Sequence, residues 1–216
     1  MGMRMVAVAV LVAAAAVGAT VGATVSLAAQ AVRLEPLDAS GRITYFISDG
    51  EPGSGYRAAD RELAVWALKG WERSAGGALR FVESSRQDAL ILVNFVGAQA
   101  GNYGEMRPLY VNGRRGAEVF IRPDTDGLGP DIGGMARADP LMRDTIVYLT
   151  CVHELGHALG LNHTRTYADI MYFFGFGGDI PGFFKRYRSQ LKTRSDMTTV
   201  GAVSESDVVQ LRQLYR

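Results

Sequence analysis

Hydrophobic and polar positions alternate along this chain with two periods, and the two periods place its elements. Residues 42–48, Arg-Ile-Thr-Tyr-Phe-Ile-Ser, alternate and are rich in β-formers, which predicts a first strand. Glu51-Pro52-Gly53-Ser54-Gly55 predicts a loop. Within residues 57–75, Leu63, Trp66, Ala67, Gly70 and Trp71 recur at helical spacing, and Gly76-Gly77 ends the run. Residues 79–84 and 89–96 predict two further strands. The second opens on Ala89-Leu90-Ile91-Leu92-Val93, a near-continuous apolar run that suits a strand covered on both faces. Leu109-Tyr110-Val111 and Ala117-Glu118-Val119-Phe120-Ile121 flank Asn112-Gly113-Arg114-Arg115-Gly116, which predicts a hairpin. Residues 123–140 are rich in Gly, Asp and Pro and predict a long loop. Asp139-Pro140 then supplies an N-cap and a first-turn proline for an apolar helix carrying Ile146, Val147, Leu149, Thr150 and Cys151. Ser204-x-x-Asp207 reads as a capping box, with Val208, Leu211 and Leu214 as the apolar side of a closing helix.

The first 31 residues break this pattern. Arg4 is their only charge, an Ala/Val-rich run follows, and Ala29-Gln30-Ala31 fits an A-x-A cleavage site. The segment reads as a secretory signal, or as an uncleaved anchor, because the run approaches the length that spans a bilayer. Either reading places the domain outside the cytoplasm, secreted or extracytoplasmic. Residues 32–216 then form one domain with a full core. Removing the leader takes one of 23 basic residues and none of 22 acidic ones, leaving 22 against 22. That balance gives no bulk attraction to nucleic acid or to a membrane surface. Cys151 is the only cysteine, which excludes an intrachain disulfide. It stands about 200° round the helix from His153, facing away from it, as a buried thiol.

The chemistry is concentrated between His153 and His163, His-Glu-Leu-Gly-His-Ala-Leu-Gly-Leu-Asn-His, which holds all 3 histidines of the chain. His153 and His157 are one helical turn apart and can point at one ion. Gly160 can take the left-handed conformation that ends a helix, which lets the chain turn back and bring His163 to the same ion. Three imidazole ligands leave a fourth zinc position open, the mark of a catalytic site. Zinc in such a site acidifies water to a pKa of about 7 and polarises a substrate carbonyl. Glu154, beside His153 but not a ligand, is placed to act as general base and then general acid.

At these residues the chain resembles the metzincin metalloproteases. Asp169-Ile170-Met171-Tyr172 is similar to their methionine turn, with Met171 beneath the metal. Within that group the resemblance is to the matrixins, the matrix-metalloprotease-like enzymes, through Leu155-Gly156-His157, Leu159-Gly160-Leu161, Thr164 and Met171-Tyr172. Phe173 stands where related families carry a ligating tyrosine, so no fifth protein ligand is expected. The resemblance implies an α+β, zincin-like fold: a twisted, mostly parallel sheet with an antiparallel edge strand, an active-site helix and a C-terminal helix. It implies one catalytic zinc ion, a protein or peptide substrate and action as a monomer. It also implies that the strand carrying Leu109, Tyr110 and Val111 is the exposed edge, where an extended peptide could add as a strand. The aromatic, glycine-rich stretch Phe173–Gly178 would wall the pocket for the side chain after the cut, or simply pack. The sequence carries no P-R-C-G-x-P-D switch, no second set of histidines and no match to the family's calcium loops. Latency by cysteine and calcium dependence are therefore not carried over.

Other features have two readings. Asp124 and Asp126 could bind calcium or line a solvated turn. Trp66 and Trp71 are a sugar platform or core. Lys185, Arg186, Arg188, Lys192 and Arg194 could touch an acidic or lipid surface, or form a solvated helix face. The expectation is an exported zinc endopeptidase. Its rivals are a zinc-bearing binding module without activity, a membrane-tethered interaction protein and a metal-dependent hydrolase of other substrates.

Overall fold

A computed structural model of the chain describes residues 34–98 and 103–216. The expected leader, residues 1–31, lies outside the described residues. Among those described, no helix is long and apolar enough to cross a membrane.

Five strands form one sheet: β1 (Arg42–Ile47), β2 (Arg80–Glu83), β3 (Ile91–Phe95), β4 (Gly104–Val111) and β5 (Arg114–Ile121), in the order β2-β1-β3-β5-β4. All neighbours are parallel except β4 and β5, which pair antiparallel with Gly104 opposite Ile121 and Val111 opposite Arg114. The helices are α1 (Asp60–Ser74), α2 (Pro130–Ala138), α3 (Pro140–Ala158), α4 (Ile180–Arg188) and α5 (Glu205–Leu214). This is the α+β architecture expected, with β4 as the antiparallel edge.

Period-2 alternation sends Ile43, Tyr45, Ile47, Ile91, Val93, Phe95, Val119 and Ile121 to one face, buried with Leu63, Leu68 and Trp71 of α1 and Ile146, Leu149 and Leu155 of α3. Trp71 is core, and its indole N–H donates to the Val152 carbonyl at 2.9 Å. Trp66 is half-buried with the Arg194 guanidinium 4.6 Å from its ring centre. The opposite face of β3 is only half covered, at Leu92 and Asn94, so the apolar run at 89–93 is not buried on both sides.

Several predicted boundaries move, among them the start of β4, which is Gly104 rather than Leu109. The hairpin turn is the two-residue Asn112-Gly113, both with positive φ (51° and 77°), so Arg114–Gly116 belong to β5. The expected long loop at 123–140 contains a short 3-10 turn, Asp126–Leu128, and helix α2. Gly133 and Gly134 mask this helix in the sequence. Burial of Ile132 and Ala136 holds it in place.

The expected caps form. Asp139 accepts from the Leu141 amide at 3.0 Å, and the Ser204/Asp207 capping box is complete in both directions. Cys151 is fully buried, and burial pushes its thiol pKa up.

Candidate metal centre

Helix α3 delivers His153, Glu154 and His157 from its last turns, and a C-terminal turn returns the chain. Gly160 has φ 98°, the Gly160 amide donates to the His157 carbonyl, and the Leu161 amide donates to that of Gly156. A side chain at Gly160 would also stand 2.9 Å from the backbone of Glu35. The turn brings His163 back, so that its Nε2 lies 3.1 Å from His157 Nε2. One ring nitrogen from each of the three histidines lies within 4.8 Å of the others.

The outer nitrogens of two of the rings are tied down. His153 Nδ1 is 2.7 Å from the Ile170 carbonyl and His157 Nδ1 is 2.8 Å from the Leu161 carbonyl. A carbonyl there accepts the Nδ1 proton and leaves Nε2 as the free donor pair, the tautomer that metals bind. Burial lowers the pKa of all three rings, that of His163 to about 4. The imidazoles are therefore neutral at pH 7, the form a zinc ion requires. Three neutral nitrogen donors, two of them with fixed outer partners, fit zinc. Asp124 and Asp126 fit a cation poorly, because the arginines Arg122 and Arg137 already pair with them.

Met171 is fully buried. Gly156 makes room for it: a side chain there would collide with the Met171 sulfur and come within 2.9 Å of Trp71. The methionine turn is held from both ends. The Thr164 amide donates to the Met171 carbonyl at 2.8 Å, and the Ile170 amide donates to the Asp207 carboxylate at 2.9 Å. Asp207 thus caps α5 and also fixes Ile170, the residue whose carbonyl orients His153. The capping-box signature announces only the first of these roles.

Glu154 is 4% exposed, and its Oε2 has no hydrogen-bond partner among the described residues. Burial, with a smaller contribution from the charge of Glu105, pushes its pKa up to about 8. Edge strand β4 meets Glu154 at Gly104, where a Cβ would strike the carboxylate and come within 2.8 Å of Thr150. Leu109, Tyr110 and Val111 lie at the hairpin end of the same strand, Leu109 roughly 17 Å farther along. Of these three, Tyr110 is the most open, with 73% of its surface exposed. Sequence periodicity gave no signal for Gly104 or for Glu105, which is buried and paired with Arg107 at 2.7 Å.

Phe173 stacks on His163 with ring centres 4.7 Å apart. Phe176 packs against Phe173 at 5.3 Å and carries the Arg165 guanidinium over its ring at 4.5 Å. The aromatic stretch is therefore partly packing and partly exposed rim. The basic stretch is mostly engaged internally: Arg188 pairs with Asp139, Arg194 with Asp144 and Glu62, and Arg186 donates to the carbonyls of Tyr167 and Ala168.

The sequence profile of the matrixin family matches residues 38–176, a span that includes the three histidines, Glu154 and Met171. Macrophage metalloelastase from Oryctolagus cuniculus is 32% identical over 139 residues, covering 60% of this chain and 27% of that protein. Interstitial collagenase from Sus scrofa is 31% identical over 136 residues, covering 60% and 26%. Matrix metalloproteinase-20 from Homo sapiens is 29% identical over 141 residues, covering 64% and 27%. The chain thus spans about a quarter of the length of the curated relatives it matches.

Proposed function

From the premise that this chain belongs to the matrixin family, we propose that it is a zinc-dependent endopeptidase that acts on proteins or peptides outside the cytoplasm. His153, His157 and His163 would hold the ion. When bound, zinc supplies Lewis acidity, which activates water at neutral pH and polarises the scissile carbonyl. Glu154 takes the proton of the attacking water and passes it to the departing amine. A buried carboxyl with a free oxygen, next in the chain to His153, suits both halves of that transfer. Met171 forms the floor and keeps the His153–His157 face in place. β4 holds the peptide extended, and Phe173 with Phe176 borders the pocket for the side chain after the cut.

The single observation that carries this reading is Glu154 Oε2, a buried oxygen without a partner beside three converging imidazoles. A metal clip that only stabilises the fold has no use for an unpaired buried carboxylate. Residues 1–31 support export, as signal or anchor, and the balanced charge gives no bulk attraction to nucleic acid.

The test is zinc content and cleavage of a mixed peptide library by the purified chain. About one zinc per chain and cuts blocked by a chelator are expected. His157→Ala should lose both metal and cleavage. Peptide cuts that survive complete removal of metal would overturn the proposal.

A further inference from the structure

The parity of hydrogen bonds in the β4–β5 hairpin decides which backbone groups of the edge strand are free. The Arg122 amide donates to the Tyr103 carbonyl at 2.9 Å, in register with the ladder that pairs Glu105 with Phe120. Antiparallel ladders alternate between bonded and non-bonded pairs. Glu105, Arg107, Leu109 and Val111 therefore direct their amides and carbonyls to β5. Gly104, Met106, Pro108 and Tyr110 direct theirs to the open side, where the sheet has no further strand among the described residues. The tight turn at Asn112-Gly113, closing on Val111 and Arg114, has the same parity.

Outward from Glu154, the edge thus offers an amide and a carbonyl at Gly104 and again at Met106. At Pro108 it offers a carbonyl alone, because proline has no N–H. We propose that Pro108 sets how much of the substrate this enzyme grips, ending the productive backbone pairing two ladder steps from the cut. This inference rests on the endopeptidase reading.

Antiparallel addition is the commoner and slightly more stable pairing. A peptide added that way runs from the cut at Gly104 toward its own amino terminus along Met106 and Pro108. A substrate residue opposite Met106 makes two bonds. The residue opposite Pro108 can donate to the proline carbonyl, but its own carbonyl faces the pyrrolidine ring, where it gives up water and meets no donor. That unpaired carbonyl offsets the one bond gained there, and the free amide and carbonyl of Tyr110 lie beyond this break, so productive recognition is confined to a short segment on the amino-terminal side of the cut.

The test uses peptides with one fixed cleavage site, lengthened one residue at a time toward the amino terminus, and reads kcat/KM for the wild type and Pro108→Ala. In the wild type, kcat/KM should climb until the peptide passes Met106 and then level off. In Pro108→Ala, the ratio of long-peptide to short-peptide kcat/KM should rise by about tenfold, one hydrogen bond's effect. A ratio unchanged by the substitution overturns the proposal, and so does a wild-type gain that continues past Pro108. If Pro108→Ala does not fold, the wild-type length series decides alone. A wild type that cleaves no peptide of any length defeats the endopeptidase reading as well. Cleavage without the break in length dependence defeats only the role of Pro108.

Discussion

Helix α3 carries a buried charge near each end, and the two are treated in opposite ways. Near its start, Arg143 donates to Asp60 with both terminal nitrogens, one of these contacts at 2.8 Å, and also to Asp144 and to the carbonyls of Gly55 and Pro123. Near its end, Glu154 keeps one oxygen without a partner and has another carboxylate, Glu105, close enough to disfavour its charge. The chain satisfies the buried charge that joins α3 to α1. Among the described residues, it leaves unsatisfied the one next to the three clustered histidines. A protein tolerates an unpaired buried carboxylate where the free oxygen has a task, and proton transfer is such a task.

The largest expected effect tests the paired end. Arg143→Ala strands Asp60, which is 1% exposed, and should cost about 3–5 kcal/mol in urea unfolding. A cost near zero would mean that the pair does not hold the two helices and would remove half of the contrast.

A smaller effect of opposite sign tests the unpaired end. Glu154→Gln should stabilise chelator-treated protein by about 1 kcal/mol near pH 8. The folded pKa of Glu154 is raised from 4.5 to about 8, so its contribution to stability is fully present below pH 4.5 and is lost as pH rises through 8. The gain from the substitution should therefore grow between those values. The histidines have the reverse sign. Their folded pKa values are lowered, that of His163 from 6.5 to about 4, so stability is present above pH 6.5 and is lost as pH falls through 4. Urea midpoints of chelator-treated wild type should fall across that acid range. A flat profile would show that the rings are not held neutral.

Much of this site was legible from residues 139–172. Asp139-Pro140 marks the start of α3, the four-residue spacing places His153 and His157 together, and Gly160 signals the reversal that returns His163. Each of these is a local signal with a local cause. What escaped depends on contacts distant in sequence. Gly133 and Gly134 hide α2, which exists because Ile132 and Ala136 are buried. Pro108 and the inward Glu105 break the alternation of β4, so only its last residues, Leu109 to Val111, read as a strand. The contact between Gly104 and Glu154 has no trace in spacing, because it joins the start of an edge strand to the end of a helix.

The central claim is that Glu154 moves the proton while the three histidines alone hold the metal. The most direct test measures bound zinc and peptide cleavage side by side for the wild type and Glu154→Gln. Equal zinc, with kcat reduced by on the order of a thousandfold in the variant, is the predicted result. Equal zinc with undiminished cleavage would contradict the account.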